Sequence, residues 1–190
     1  MTHEKAIIIG GSAGCLDALS IILPALPADY PYPILVVVHL PASKDSLLAS
    51  LLDAKCALSV READDKEKIL PGHVYIAPPD YHMLIEKEKT ISLSIEEEVL
   101  YSRPSINVSF ESAADIYGPD LTGIVLTGAN NDGASGLSVI AAEGGTVIVQ
   151  DPRTAYATAM PESAIAACPH GLILSLPAIA DYLKKEGTRC

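Results

Sequence analysis

Three residues have the types from which a nucleophile, a base and an orienting acid are assembled, and each lies in the segment that follows an apolar run. Ser12 stands in Gly10-Gly11-Ser12-Ala13-Gly14, behind the run at 6–9. His39 follows the run at 34–38 and opens His39-Leu40-Pro41. Asp132 lies in Thr127-Gly128-Ala129-Asn130-Asn131-Asp132-Gly133, behind the run at 123–126. A serine between glycines at a strand-to-helix turn is lifted onto a sharp bend, and the following helix aims its amides and positive dipole end at developing oxyanion charge. The same turn is also a potential cradle for phosphate.

Each residue has a structural reading as well. Ser12 would serve as a helix N-cap, His39 as a half-buried polar residue ending a strand, and Asp132 as the cap of a helix starting near Ala134. Taken singly, those readings prevail. In an open parallel sheet, however, ligands bind beyond the carboxyl ends of the strands. Three such residues behind three strands form the set of a nucleophile, base and orienter.

The elements that position them follow from hydrophobic periodicity. Short, largely unbroken apolar runs at 6–9, 34–38, 74–77, 123–126, 146–149 and 172–174 read as parallel strands covered on both faces. Leu16, Leu19, Ile22 and Leu23 fall at helical spacing, as do Leu47, Leu48, Leu51 and Leu52. Further helices are expected over 106–117, 134–143, 157–167 and 178–185. The alternation predicts an α/β fold: a doubly wound, mostly parallel sheet with helices on both faces. Residues 83–86 and 90–95 flank Lys87-Glu88-Lys89 and predict an antiparallel hairpin that extends one edge, making the sheet mixed. The charged segments 61–68 and 96–98 read as solvated loops or surface faces.

Composition excludes several classes. With 190 residues, 49% hydrophobic and 19% charged, the chain fits one globular domain over 1–190. A net charge of −11 with no basic stripe argues against nucleic acid or an anionic membrane as partner. No apolar run reaches the roughly 20 residues of a membrane span, and the N-terminus is not a signal peptide. Cys15, Cys56, Cys168 and Cys190 are scattered, pointing to reduced thiols in a cytoplasm. Cys56 and Cys168 read as small core hydrophobes, while Cys15 sits close enough to the Ser12 turn to be reactive there. His73, His82 and His170 read as structural or surface residues without metal-ligand spacing, so no metal is expected. The first turn lacks G-x-G-x-x-G spacing and a P-loop lysine. The order Ser12, His39, Asp132 also differs from that of an α/β-hydrolase.

The blocks Ile8-Ile9-Gly10-Gly11-Ser12-Ala13-Gly14, Val37-Val38-His39-Leu40-Pro41 and Leu126-Thr127-Gly128 to Asp132-Gly133-Ala134 resemble the catalytic domain of the chemotaxis receptor-glutamate methylesterase (CheB-type) family. Tyr75-Ile76-Ala77-Pro78-Pro79 with His82, Arg103-Pro104-Ser105, and Gln150-Asp151-Pro152 followed by Met160-Pro161 extend the resemblance, in order, over nearly the whole chain. The resemblance implies hydrolysis of glutamate γ-methyl esters, and deamidation of some glutamines, on the cytoplasmic helices of chemoreceptors. It implies Ser12 as nucleophile, His39 as general base and Asp132 as orienter of the imidazole, with oxyanion-holding amides at the start of the helix after Ser12 and no cofactor.

This sequence departs from the family at Ala129 and Asn130, which replace the Met-Gly of Gly-Met-Gly, and at Cys15 and Ala159, which replace glycines. Asn130 is thereby expected at a backbone position open to positive φ. The N-terminal receiver domain common in the family is not expected in this chain. Because methylated receptor helices are themselves acidic, Lys44, Arg103 or Arg153 would have to supply local positive charge; otherwise the substrate is another methylated signalling protein. A monomer is the default. Two rival readings stand beside the esterase: a catalytically weakened signalling or binding module of the same fold, and a phosphate-binding protein resting on the first turn alone.

Overall fold

In the computed structural model, residues 4–39 and 47–188 are described; Leu40, Pro41, Lys44 and Cys190 lie outside them. The strands are β1 (Ala6–Gly11), β2 (Ile34–Val38), β3 (Ser59–Glu62), β4 (His73–Ile76), β5 (His82–Ile85), β6 (Ile91–Ser94), β7 (Leu121–Val125), β8 (Thr146–Gln150) and β9 (Leu172–Leu174). The helices are α1 (Cys15–Ile22), α2 (Leu48–Asp53), α3 (Ile106–Tyr117), α4 (Ala134–Ala142), α5 (Ala159–Ala167) and α6 (Leu176–Gly187). Seven strands form one sheet in the order β3-β4-β2-β1-β7-β8-β9. Every pairing in it is parallel.

Period-two alternation on the central strand builds both sides of the core. Ile7 and Ile9 face a cluster with Leu19 and Ile22 of α1, Leu48 and Leu52 of α2, and Ile179 and Leu183 of α6. Ala6 and Ile8 face Phe110 and Ala113 of α3, Leu137 and Ile140 of α4, and Met160 and Ala164 of α5. Helices therefore cover both faces, as expected for a doubly wound sheet.

Two sequence expectations are corrected here. The hairpin is present and antiparallel, but β5 and β6 form a sheet of their own and extend no edge of the larger one. Met83, Ile85 and Ile91 instead bury themselves in the α3 side of the core. The edge is taken by β3, whose last two residues fall in the stretch 61–68 read as a solvated loop or surface face. β3 pairs with β4 through Ser59↔His73 to Glu62↔Ile76. The residues after it bond to the hairpin, with Lys66 N donating to Ile91 O at 2.7 Å and Ile91 N donating to Glu67 O at 2.8 Å. Among the described residues no helix is long and apolar enough to cross a membrane.

Candidate active site

The chain order turns around β1: β2 lies on one side of it and β7 on the other. In doubly wound sheets, the crevice beyond the carboxyl ends at such a reversal is where ligands bind. Gly11 pairs with Val38, which brings Ser12 and His39 level on adjacent strands. On the other flank Ser12 N donates to Thr127 O at 2.9 Å, tying the serine turn to the loop after β7. Thr127 Oγ1 donates to Ala13 O at 2.9 Å and accepts from Ala157 N at 2.9 Å. The buried Gln150 side chain accepts from Thr127 N at 2.9 Å. Three loops are thus stitched together around Ser12. The first turn is glycine-dependent at Gly14, whose φ is 80°; a Cβ there would press on Tyr156 Cβ.

Ser12 does not cap the following helix: the N-cap of α1 is Gly14, with no side-chain cap bond. Cys15 N donates to Ser12 O at 2.9 Å. Among the described residues, the amides of Ala13 and Gly14 donate to no protein acceptor. They are the two free donors beside the serine, immediately ahead of α1, with Gly14 its N-cap.

The second half of the site is built on α3. Asp132 is fully buried and accepts four hydrogen bonds: from Ser105 Oγ at 3.1 Å, Ile106 N at 2.7 Å, Asn107 N at 3.0 Å and His39 Nε2 at 2.7 Å. It does not cap α4, whose N-cap is Gly133. Asn107 Oδ1 accepts from Gly133 N at 2.9 Å and Gly136 N at 2.8 Å, so the first turns of α3 and α4 exchange bonds. Burial pushes the Asp132 carboxyl upward, but the His39 bond and the Asn107 and Ile106 amides outweigh it and hold the group below the usual carboxylate value. The positive end of the α3 dipole acts in the same direction.

A buried carboxylate at Nε2 keeps a proton on that nitrogen, so in the neutral ring Nδ1 is the nitrogen with a lone pair. That nitrogen receives a hydrogen bond from Asn130 Nδ2 at 3.3 Å. No hydrogen bond joins Ser12 Oγ to His39 among the described residues. Asn130 does not adopt the positive φ expected of it. It uses its side chain instead: Oδ1 accepts from Asp132 N at 3.0 Å.

Residues that sequence reasoning missed stand behind Asp132. Ser105 and Asn107 hold the carboxylate and its loop, and the buried His82 accepts from Ser105 N at 3.1 Å while donating from Nε2 to Glu97 O at 3.0 Å. The Arg103-Pro104-Ser105 block carried the signal, although nothing local in the sequence reveals contacts across about 25 residues. Of the cations expected near the site, Arg103 is bound to Asp80 and to the Ile95 and Glu96 carbonyls. Arg153 pairs with Asp151. Cys15 is buried, and desolvation pushes its thiol up to about 12, so it is not a reactive group there. A cavity of about 440 Å³ lined by Ser138, Cys168 and His170 opens at the amino ends of β8 and β9, the opposite edge from Ser12.

The comparisons agree with this architecture. The family model for CheB methylesterase matches residues 7–183. A Leptospira interrogans protein, named provisionally as a protein-glutamate methylesterase/protein-glutamine glutaminase, is 49% identical over 179 residues, covering 94% of this chain and 93% of that protein. The protein-glutamate methylesterase/protein-glutamine glutaminase of Bordetella parapertussis is 41% identical over 169 residues; the match takes 87% of this chain but only 48% of that longer protein. The crystal structure of the Thermotoga maritima CheB methylesterase catalytic domain superposes with a TM-score of 0.92 at 34% identity, over 96% of this chain and 98% of that one. The family read from the ordered sequence blocks is therefore borne out, and the chain belongs to the CheB methylesterase family.

Proposed function

We propose that this chain is a protein-glutamate methylesterase, and a glutaminase toward suitable glutamines, acting on methylated cytoplasmic helices of chemoreceptors. The observation that carries the reading is the buried His39–Asp132 pair, set level with a serine turn at the sheet's reversal point. Ser12 Oγ attacks the side-chain ester carbonyl while His39 Nδ1 takes its proton. Asp132 stabilises the imidazolium through Nε2–H and stays ionised throughout. The tetrahedral oxyanion falls to the free amides of Ala13 and Gly14, donors of a kind worth roughly 3–4 kcal/mol each. His39 returns its proton to the leaving methoxide, and methanol departs. Water then gives a proton to Nδ1 and adds to the acyl carbon; as the bond to Ser12 Oγ breaks, Nδ1 returns that proton to the serine and the glutamate is released. With a glutamine substrate the same steps release ammonia.

The rim beside the serine turn fits a protein substrate: Tyr156, which lies against Gly14, stands 84% exposed. The reading also places the protein in the cytoplasm, as a monomer. Methanol release from a methyl-esterified receptor fragment tests it. Wild type is expected to release methanol, with release lost in Ser12→Ala and in His39→Ala. Activity retained in Ser12→Ala would overturn the mechanism. A second reading, a binding module that has kept the fold, draws on the Asn130 amide at His39 Nδ1. Folded wild-type protein that releases no methanol would favour it.

A further inference from the structure

The nitrogen that must receive the Ser12 proton is already engaged. Asn130 Nδ2 donates to His39 Nδ1 at 3.3 Å, while Asn130 Oδ1 accepts from Asp132 N at 3.0 Å. The second bond fixes which way the amide faces, because its oxygen is claimed by a backbone donor and only its NH₂ remains for the ring. Asp132 Oδ2 holds the other ring nitrogen at 2.7 Å. His39 is therefore gripped at both nitrogens by residues two positions apart on one loop.

From this geometry we infer that Asn130 is a positioning residue that restrains the base: it holds His39 in the tautomer protonated at Nε2 and competes with Ser12 for the Nδ1 lone pair. The inference rests on reading Ser12 as nucleophile and His39 as base. Neutral His39 satisfies both neighbours. Once Ser12 passes its proton to Nδ1, an N–H faces the Asn130 NH₂ and the two donors oppose each other. The amide cannot reverse without abandoning Asp132 N. Asn130 thus keeps the histidine aligned at rest and disfavours the imidazolium that attack requires. A substrate that seats the Ser12 hydroxyl toward Nδ1 must displace it.

Two substitutions at this position have opposite expected signs. Asn130→Gly frees Nδ1, and because the backbone at 130 is not in the left-handed region, glycine is not needed for conformation and adds no strain. Asn130→Asp keeps an acceptor for Asp132 N but turns a carboxylate oxygen toward Nδ1, which favours the doubly protonated ring. The experiment pairs two readouts on wild type and both variants: the rate of Ser12 modification by diisopropyl fluorophosphate, and the ¹⁵N resonances of the His39 ring.

Asn130→Gly should speed modification roughly 2- to 10-fold, the worth of one ordinary hydrogen bond, and move the Nδ1 resonance toward that of an unbonded ring nitrogen. Asn130→Asp should slow modification about tenfold or more and move Nδ1 to an imidazolium value. Slowing in both variants, as loop damage would produce, overturns the inference. So does an Nδ1 resonance unchanged in Asn130→Gly. If no variant is modified while the Nδ1 shifts follow expectation, the Asn130 assignment is supported and the nucleophile reading fails instead.

Discussion

Two aspartates follow adjacent strands at the same edge of the sheet. Asp132 stands behind β7 and Asp151 behind β8, and both carboxyls are held below their ordinary value. The causes differ. For Asp151 the leading one is its own neighbour, Arg153, two residues away and 88% exposed. Asp132 is buried, and the donors that outweigh its desolvation come from the start of α3 and from His39 just past β2, between 25 and 93 residues distant. Position behind a strand therefore does not make a functional acid. A local pair produces an anchored surface loop, whereas donors gathered from several elements produce a buried charge that can orient a histidine.

The contrast breaks most sharply at Asp132→Asn. The substituted amide would oppose donors it must accept and would favour the wrong His39 tautomer. Methanol release should fall by a factor on the order of 10³–10⁴, and urea unfolding should show a loss of about 2–4 kcal/mol. Asp151→Asn should leave both measurements near wild type, because exposed pairs contribute little.

Next in size is Gly10→Ala, which acts on the acid from beneath. Its Cβ would overlap Ile106 Cγ2 and lie 3.1 Å from Phe110 Cζ, pushing on the first turn of α3. A stability loss of about 1–3 kcal/mol is expected, with activity falling although no reacting group has changed.

The two acids also separate with pH. Because the folded Asp132 value lies below the unfolded one, its contribution to stability is complete above about pH 4. It is lost as pH falls through the folded value. Acid unfolding of wild type should steepen below that point, and Asp132→Asn should lack that component. The smallest effect concerns Cys15, whose buried thiol should resist alkylation in folded protein at pH 8 and react only after unfolding.

Much of this was legible in order and periodicity. Six of the seven strands of the large sheet read as apolar runs, as strands of a parallel sheet covered by helices do, and Ser12, His39 and Asp132 were legible as residues behind strand ends. Ser59–Glu62 was not, since an edge strand covered on fewer sides carries the polar sequence Ser-Val-Arg-Glu, of which Val60 is the buried residue. The hairpin was found but misplaced, because its apolar face says that it packs and not against what. Asn130 was read as a backbone question when its role lies in its side chain. Ser105, Asn107 and His82 stayed invisible as supports, since their bonds depend on α3 arriving end-on at a loop far along the chain.

The parallel register has a consequence for when the protein comes to exist during its synthesis. Within this sheet β1 is made first and lies in the middle, yet its neighbour β7 begins only at Leu121. A nascent chain emerging N-terminus first cannot close Ser12 N onto Thr127 O, nor bring Asp132 to His39, until synthesis has passed Asp132 and freed it from the ribosome. Such distant pairings are also slow to find each other. The serine turn is written early in the sheet, and its chemistry waits for the loop after β7.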